Sequence, residues 1–311
     1  MSTLHFNQQA QHPPCFIQLS TLGVLEIKGA DTQSFLQGQL TCDVKAASWQ
    51  HWLAGGYCDP KGKLWSTFRM VGDAERILLF MAQESIADTL TNLKKYAVFS
   101  KVTITDVTSE HPLYGFWGKQ AAAELGFADS HSVQLSHCAA NGEKLLLQVA
   151  DDLVLIRGKH DTQNAPLMPA SWWHAAMLEH GWVDVPAAKA AEYIPQMLNL
   201  DDNHGVNYKK GCYIGQEIVA RMHYKGQNKR VTHCFVGHCG QLPETGDLLE
   251  KKVGENWRRS GAVLSAVRYH DNVVALFAVG PIDLEPTDLF RMQGQDDSQF
   301  TLCPDTQKME S

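Results

Sequence analysis

At 311 residues, with 44% hydrophobic and 20% charged side chains, the chain has the length of two or three compact units and a globular rather than disordered composition. A formal net charge of −7 argues against a general nucleic-acid coat and leaves only local basic patches for that purpose. No stretch approaches the roughly 18 apolar residues of a membrane-spanning helix. The opening MSTLHFNQQAQHPPCF lacks the basic and apolar regions of a signal peptide. The eight cysteines (15, 42, 58, 138, 212, 234, 239 and 303) form no CxxC pair, which suits reduced thiols and a cytoplasmic address.

In chain order, LGVLEIK (22–28) alternates as a strand, and Asp31 is placed to cap a short helix that buries Phe35 and Leu36. WLAGGYCDPKGKLWSTFRMV predicts two strands joined by a turn at Asp59-Pro60-Lys61-Gly62, and ERILLFMA a third. Ile86, Leu90, Leu93 and Tyr96 have helical spacing, and KVTITDV returns to strand alternation. KQAAAELG predicts a short helix. SWWHAAMLEHG predicts another, with Ser171 as N-cap and Gly181 as stop. After residue 229 strands dominate: KRVTHCFVGH, GAVLSAVRYHDNVVALFAVG with a turn at Asp271-Asn272, and DLFRMQG. The fold class is therefore α+β, with an α+β body over 1–228 and a small β-domain over 229–311.

The densest chemistry lies in KKGCYIGQE (209–217). Ile218, Val219 and Met222 follow at helical spacing, so Cys212 stands near a helix N-terminus beside Lys209 and Lys210. Both features favour thiolate and partial exposure. The glycines on either side permit close approach or positive φ. The alternative is a small buried hydrophobe, and local chemistry leaves the two open.

Three other stretches carry weaker signals. GYCDPKGK is not a phosphate loop, because strand follows Lys63 and no Ser or Thr does. HCFVGHC (233–239) has no second ligand pair at zinc-finger spacing, so no metal is expected. KGQNKR and GENWRR gather Lys225, Lys229, Arg230, Arg258 and Arg259, as solvated turns or an anion-facing patch.

KKGCYIGQE with VAR after it, FLQGQLTCDV, CDPKGKLWSTFRM, LKKYAVFSKVTI, YIPQMLNL and GENWRRSG together resemble the YgfZ family, folate-binding relatives of the glycine-cleavage T-protein, an aminomethyltransferase. The matches run in order from about residue 22 to 262. The resemblance implies a T-protein-like ring of three domains, two intertwined in the body and the third a C-terminal β-barrel, around a hole that accepts tetrahydrofolate. It implies an accessory role for iron–sulfur enzymes, among them tRNA methylthiotransferases, under oxidative stress in particular.

Carried over by position, Cys212 is the working, catalytic thiol, framed by Lys210, Gly211, Tyr213, Gly215, Gln216 and Glu217. Trp173 matches a folate-associated tryptophan, and an indole suits a flat pterin ring. Glu179 falls where relatives place a glutamate that can take two hydrogen bonds from the pterin edge. Its bland reading is an exposed helix-end charge. Leu22 stands where a second folate tryptophan is expected, so stacking there is weaker or comes from another residue. The aspartate of the glycine-cleavage relatives is missing near Trp65 and Ser66, which weighs against the alternative function, a folate-dependent one-carbon transferase or demethylase. Direct tRNA binding is expected to be weak.

Overall fold

The computed structural model describes residues 13–303 apart from 120, 126–132, 139–141, 160, 162–163, 227 and 270–271. The chain opens with β1 (Cys15–Gln18), β2 (Leu22–Lys28) and α1 (Thr32–Gln37), then β3 (Leu53–Cys58), β4 (Leu64–Gly72) and β5 (Arg76–Ala82). α2 (Ile86–Tyr96), β6 (Thr103–Asp106), β7 (Leu113–Trp117), α3 (Ala121–Glu124), β8 (Val133–Cys138), β9 (Gly142–Ala150), β10 (Leu153–Arg157) and β11 (Leu167–Met168) follow. α4 (Ser171–Glu179) and α5 (Gln216–Tyr224) precede β12 (Arg230–His238), β13 (Leu248–Val253), β14 (Asn256–Arg268), β15 (Val273–Pro281), β16 (Phe290–Met292) and β17 (Gln299–Leu302).

Three sheets result. One has the order β3-β4-β5-β2-β6, a second β11-β1-β7-β10-β9-β8, and the last six strands close a barrel in the order β12-β15-β14-β13-β16-β17. Closure leaves the barrel without edge strands. Period-2 alternation feeds separate cores from one strand. In β2, Leu22 and Val24 enter a central core, while Leu25 and Ile27 enter the one beneath α1 and α2. In β12, Cys234 joins the central core and Phe235 the barrel interior.

The fold is the expected α+β class with a C-terminal barrel, but two caps differ from expectation. Asp31 occupies the N-cap of α1 without capping it. Its φ of −102° and ψ of 10° lie outside the extended region a cap needs, and its Oδ2 accepts from the Lys101 N–H at 2.7 Å instead. Ala170, not Ser171, is the N-cap of α4, and no side chain caps that helix. The stripe on α2 also ends early. Ile86, Thr89 and Leu93 are buried, whereas Tyr96 is exposed. Of the expected turn at 271–272, Asp271 lies outside the described residues, and Asn272 has a φ of 62°.

Candidate functional site

α4 is the element that positions the site. Seven of its nine residues are buried, Trp172, Trp173 and the run Ala175–Glu179, because sheets surround it on several sides. A helix covered all round needs no apolar stripe. Trp172 packs edge-on against Trp117, with centroids 6.1 Å apart. Trp173 lies on another side, its benzo edge over Gly115, where a Cβ would come within 2.7 Å of Cε3. The opposite, N–H-bearing edge therefore faces away from β7, and Nε1 is buried with no hydrogen-bond partner among the described residues. A buried donor left so costs about 1–3 kcal/mol.

Trp173 also lines a cavity of about 450 Å³ between the sheet that carries β2 and β5, α4 and the barrel. Its walls include Thr21 and Leu22, Gln83 and Glu84, Met177, Trp182 and Asp184, and, from the barrel, Thr245, Leu264 and Phe277. The volume and mostly apolar lining suit a drug-sized ligand. Two expected ligand residues, Trp173 and Leu22, thus share this cavity. Trp182 and Phe277 bring aromatic surface that Leu22 lacks, and the sequence reading missed both. The spacing WWHAAMLEHGW was the available signal, since Trp182 follows the helix stop directly.

Glu179 is placed elsewhere. It is 4% exposed, which corrects the reading of an exposed helix-end charge. The Tyr269 hydroxyl donates to its Oε1 at 3.2 Å, and Glu179 is not among the cavity walls. Burial first, and then this carboxylate, push the Tyr269 phenol well above its usual range.

Behind the cavity lies a buried cation. Arg69, 1% exposed, stacks 3.9 Å over the ring of Trp182 and 5.5 Å from that of Trp52, and its Nη2 reaches Met177 Sδ at 3.2 Å. Burial lowers its pKa to about 10, and the attraction of Asp184 works the other way. Asp184 Oδ1 accepts from Trp182 Nε1 at 2.8 Å, while the Thr67 hydroxyl donates to the Val183 carbonyl at 3.1 Å and lies 3.5 Å from Asp184 Oδ1.

The motif loop has no residue in common with the cavity. Gly215, with φ +81°, is the N-cap of α5, so Cys212 lies three residues ahead of the helix. Cys212 is exposed. Lys210 turns away from the thiol: its Nζ donates to the carbonyls of Leu40 at 2.7 Å and Cys42 at 2.6 Å and lies 5.3 Å from the Tyr213 ring centroid. Burial lowers the Lys210 pKa to about 8. Tyr213 is buried, and its hydroxyl has no hydrogen-bond partner among the described residues. Gln216 Nε2 reaches the Gly211 carbonyl at 3.5 Å, and Glu217 pairs with Arg221 at 3.3 Å along the helix. Of the expected frame, Lys210, Tyr213 and Gly215 thus anchor the loop to the body.

Among the described residues no three His, Cys, Asp or Glu side chains are grouped to hold a metal ion. His233 of the HCFVGHC stretch instead hydrogen-bonds the Pro281 carbonyl at 2.7 Å. No helix among them is long and apolar enough to cross a membrane.

Two body sheets, a helix threaded between them and a closing barrel define a class. The architecture is that of the glycine-cleavage aminomethyltransferase T from Bartonella henselae, with a TM-score of 0.70 over 96% of this chain and 87% of that one, at 13% identity. Residues 228–297 match the family described as "YgfZ, beta-barrel domain". The tRNA-modifying protein YgfZ of Aliivibrio fischeri strain MJ11 is 35% identical over 94% of this chain and 93% of its own. That of Shigella sonnei strain Ss046 is 37% identical over 91% and 90%. The chain belongs to the YgfZ family.

Proposed function

We propose that the chain is a folate-binding accessory protein that supports iron–sulfur enzymes and tRNA modification, with tetrahydrofolate in the cavity and Cys212 as the working thiol. The observation that carries the folate part is the largely apolar cavity that Trp173, Trp182 and Phe277 line, enclosed by one body sheet, α4 with the chain after it, and the barrel. Trp173 and Trp182 offer ring surface for a flat heterocycle, and bound tetrahydrofolate supplies a carrier for one-carbon units. On this reading the chain divides near residue 229 into folate-binding body and barrel. Tetrahydrofolate is expected to quench tryptophan fluorescence saturably, and Trp173→Ala to weaken binding by about 1–3 kcal/mol. Unchanged binding in that variant places the folate elsewhere.

The thiol is supported by contrast with its fellows. Burial pushes Cys15 and Cys42 up to about 12 and raises Cys58 further, and Cys239 is raised by burial too. Cys212 is exposed on a loop held by its neighbours. Iodoacetamide near neutral pH should label Cys212 at least about tenfold faster than those four. Cys212→Ser should fold normally and fail to complement loss of iron–sulfur-dependent tRNA modification. Full complementation makes it a structural cysteine.

Aminomethyl transfer is not part of this reading. At the strand positions where the aspartate is missing, Ser66 is buried and its Oγ accepts from Thr89 Oγ1 at 3.0 Å. The T-protein likeness extends to the fold alone.

A further inference from the structure

We infer that Cys234 and Cys303 form a redox site: a hydroperoxide oxidises Cys303, and Cys234 then closes a disulfide that staples the last strand into the barrel. The site involves neither the cavity's ligand nor Cys212, and it stands whether or not folate binds.

The strand register brings the two thiols together. Phe235 pairs with Leu302 where β12 meets β17, so the next opposed pair is Cys234 and Cys303. The Cys303 N–H donates to the Cys234 carbonyl at 2.8 Å, which carries the ladder one step past the end of β17. Directly opposed side chains share one face of a sheet. The packing agrees. Phe235 and Leu302 both pack into the barrel interior, whereas Cys234 and Cys303 both pack against the central core outside it. Opposed positions of an antiparallel pair lie about 4.5–5.5 Å apart at Cα, within the span of about 4.4–6.8 Å that a disulfide bridges. The thiols already meet, because the Cys234 side chain hydrogen-bonds that of Cys303.

Exposure sets the order of events. Cys234 is 5% exposed. Its hydrogen bond to Cys303 first, then burial and the nearby Glu179 carboxylate, raise it well above the ordinary thiol range. It is therefore protonated and shut off from an oxidant in solution. Cys303 is half-buried, which gives a small oxidant a way to its sulfur. The Cys303 thiolate attacks the O–O bond and becomes a sulfenic acid, and its proton ends on the released alcohol, or on water when the oxidant is hydrogen peroxide. The Cys234 thiol then attacks the oxidised sulfur. The S–S bond forms, the S–O bond breaks, and the Cys234 proton leaves with the hydroxide as water. Two thiols lose two electrons, and the peroxide gains them.

The place of this bond in the barrel gives it an effect. Among the described residues β17 meets β16 at one pair, Phe290 with Phe300, so the closing strand relies on its longer ladder with β12. A bond from Cys303 to Cys234 fixes the end of that strand. It also closes a loop that runs through nearly the whole barrel, and crosslinks across long loops restrain the unfolded chain most. On its other side Cys234 is opposed by Phe277 of β15, whose side chain lines the cavity. Tyr269 and Glu179 face the same thiols from β14 and α4.

The test uses the full chain, fully reduced and then treated with hydrogen peroxide. Remaining thiols are blocked with iodoacetamide in urea, and a digest made without reductant is read by mass spectrometry. A peptide linked through Cys234 and Cys303 should appear and should vanish on treatment with dithiothreitol. The oxidised protein should melt about 4 °C or more above the reduced one. Cys234→Ser removes the second thiol, so dimedone, which traps sulfenic acids, should label Cys303 at least about fivefold more than in the wild type. Melts identify a variant that does not fold, and the wild-type digest decides without one. If Cys234 and Cys303 are both still free once peroxide has modified the exposed Cys212, the inference is overturned. A bond from either one to a different cysteine overturns it too, as does dimedone on Cys234 in Cys303→Ser. A linked pair with an unchanged melting point overturns the stapling role.

Discussion

The two glycines beside Cys212 have different reasons to be there. Gly215 has φ +81°, and a Cβ on it would fall 2.5 Å from the Asp59 carbonyl oxygen and 2.8 Å from Gly62 Cα. It is the point where the motif loop docks onto the turn of the β3–β4 hairpin, a turn fixed by Asp59 Oδ1 accepting from the Lys61 and Lys63 N–H groups. Gly211 has no positive φ, and among the described residues no heavy atom beyond its chain neighbours lies within 4 Å of an added Cβ. Gly215→Ala should therefore cost about 1–3 kcal/mol through strain and backbone clash. Gly211→Ala should stay within about 0.5 kcal/mol, as an unconstrained surface change does. Urea unfolding of the two variants checks this, and equal losses would show that the loop's docking has been misread. Lys210 teaches a related lesson. A sequence places its charge beside the thiol, yet the fold directs it to two carbonyls 168 and 170 residues away along the chain. Adjacency in sequence fixed neither the direction nor the partner of that side chain.

At the scale of elements, α4 is tied at its C-terminal end. His180 Nε2 lies 2.9 Å from Asp152 Oδ1, and Trp117 Nε1 donates to Asp152 Oδ2 at 3.2 Å, so the helix is clamped to the loop before β10. Burial acts to raise the Asp152 carboxyl, but the hydrogen bond and charge of His180, with the Trp117 N–H, outweigh it and hold it below the usual aspartate range. A depressed folded pKa gives stability that is present above the unfolded value, about 3.9, and lost as pH falls through the folded one. Asp152→Asn should lower stability at pH 7 and flatten that acid limb below about pH 4, measured as denaturation midpoint against pH. An unchanged acid limb would show that other carboxylates govern it. The sheet that carries this clamp was the least legible part of the sequence. LVLIR in β10 is wholly buried, because Leu153 and Leu155 enter the central core while Val154 and Ile156 enter the core under α3. A strand covered on both faces loses the alternation that reveals a half-exposed strand. The hairpin and the barrel strands carried their own turn signals and were readable. Trp173 and Leu22 were found by their place in a motif, whereas Arg69 had no local signal, because the Trp182 ring it stacks on is 113 positions later.

For the whole molecule, the charge of −7 and the barrel's few cations bear on tRNA. Lys225, Lys229, Arg258 and Arg259 are all exposed, but Arg258 and Arg259 alternate in direction along β14, so they do not present one face. Non-specific binding scales with the phosphates neutralised. Bare tRNA should therefore bind the pure protein more weakly than about micromolar at 150 mM salt. Tight binding that falls steeply with salt, and that is lost on replacing those four residues, would refute this. The cavity has a consequence of another kind. Its walls begin at Ser20 and end at Phe277, with the middle supplied by α4 and the chain after it. No nascent fragment contains them all until most of the protein has left the ribosome, and domains tend to form in order of synthesis. The pocket is thus completed late in synthesis. Whatever fills it binds a finished molecule and none of its precursors.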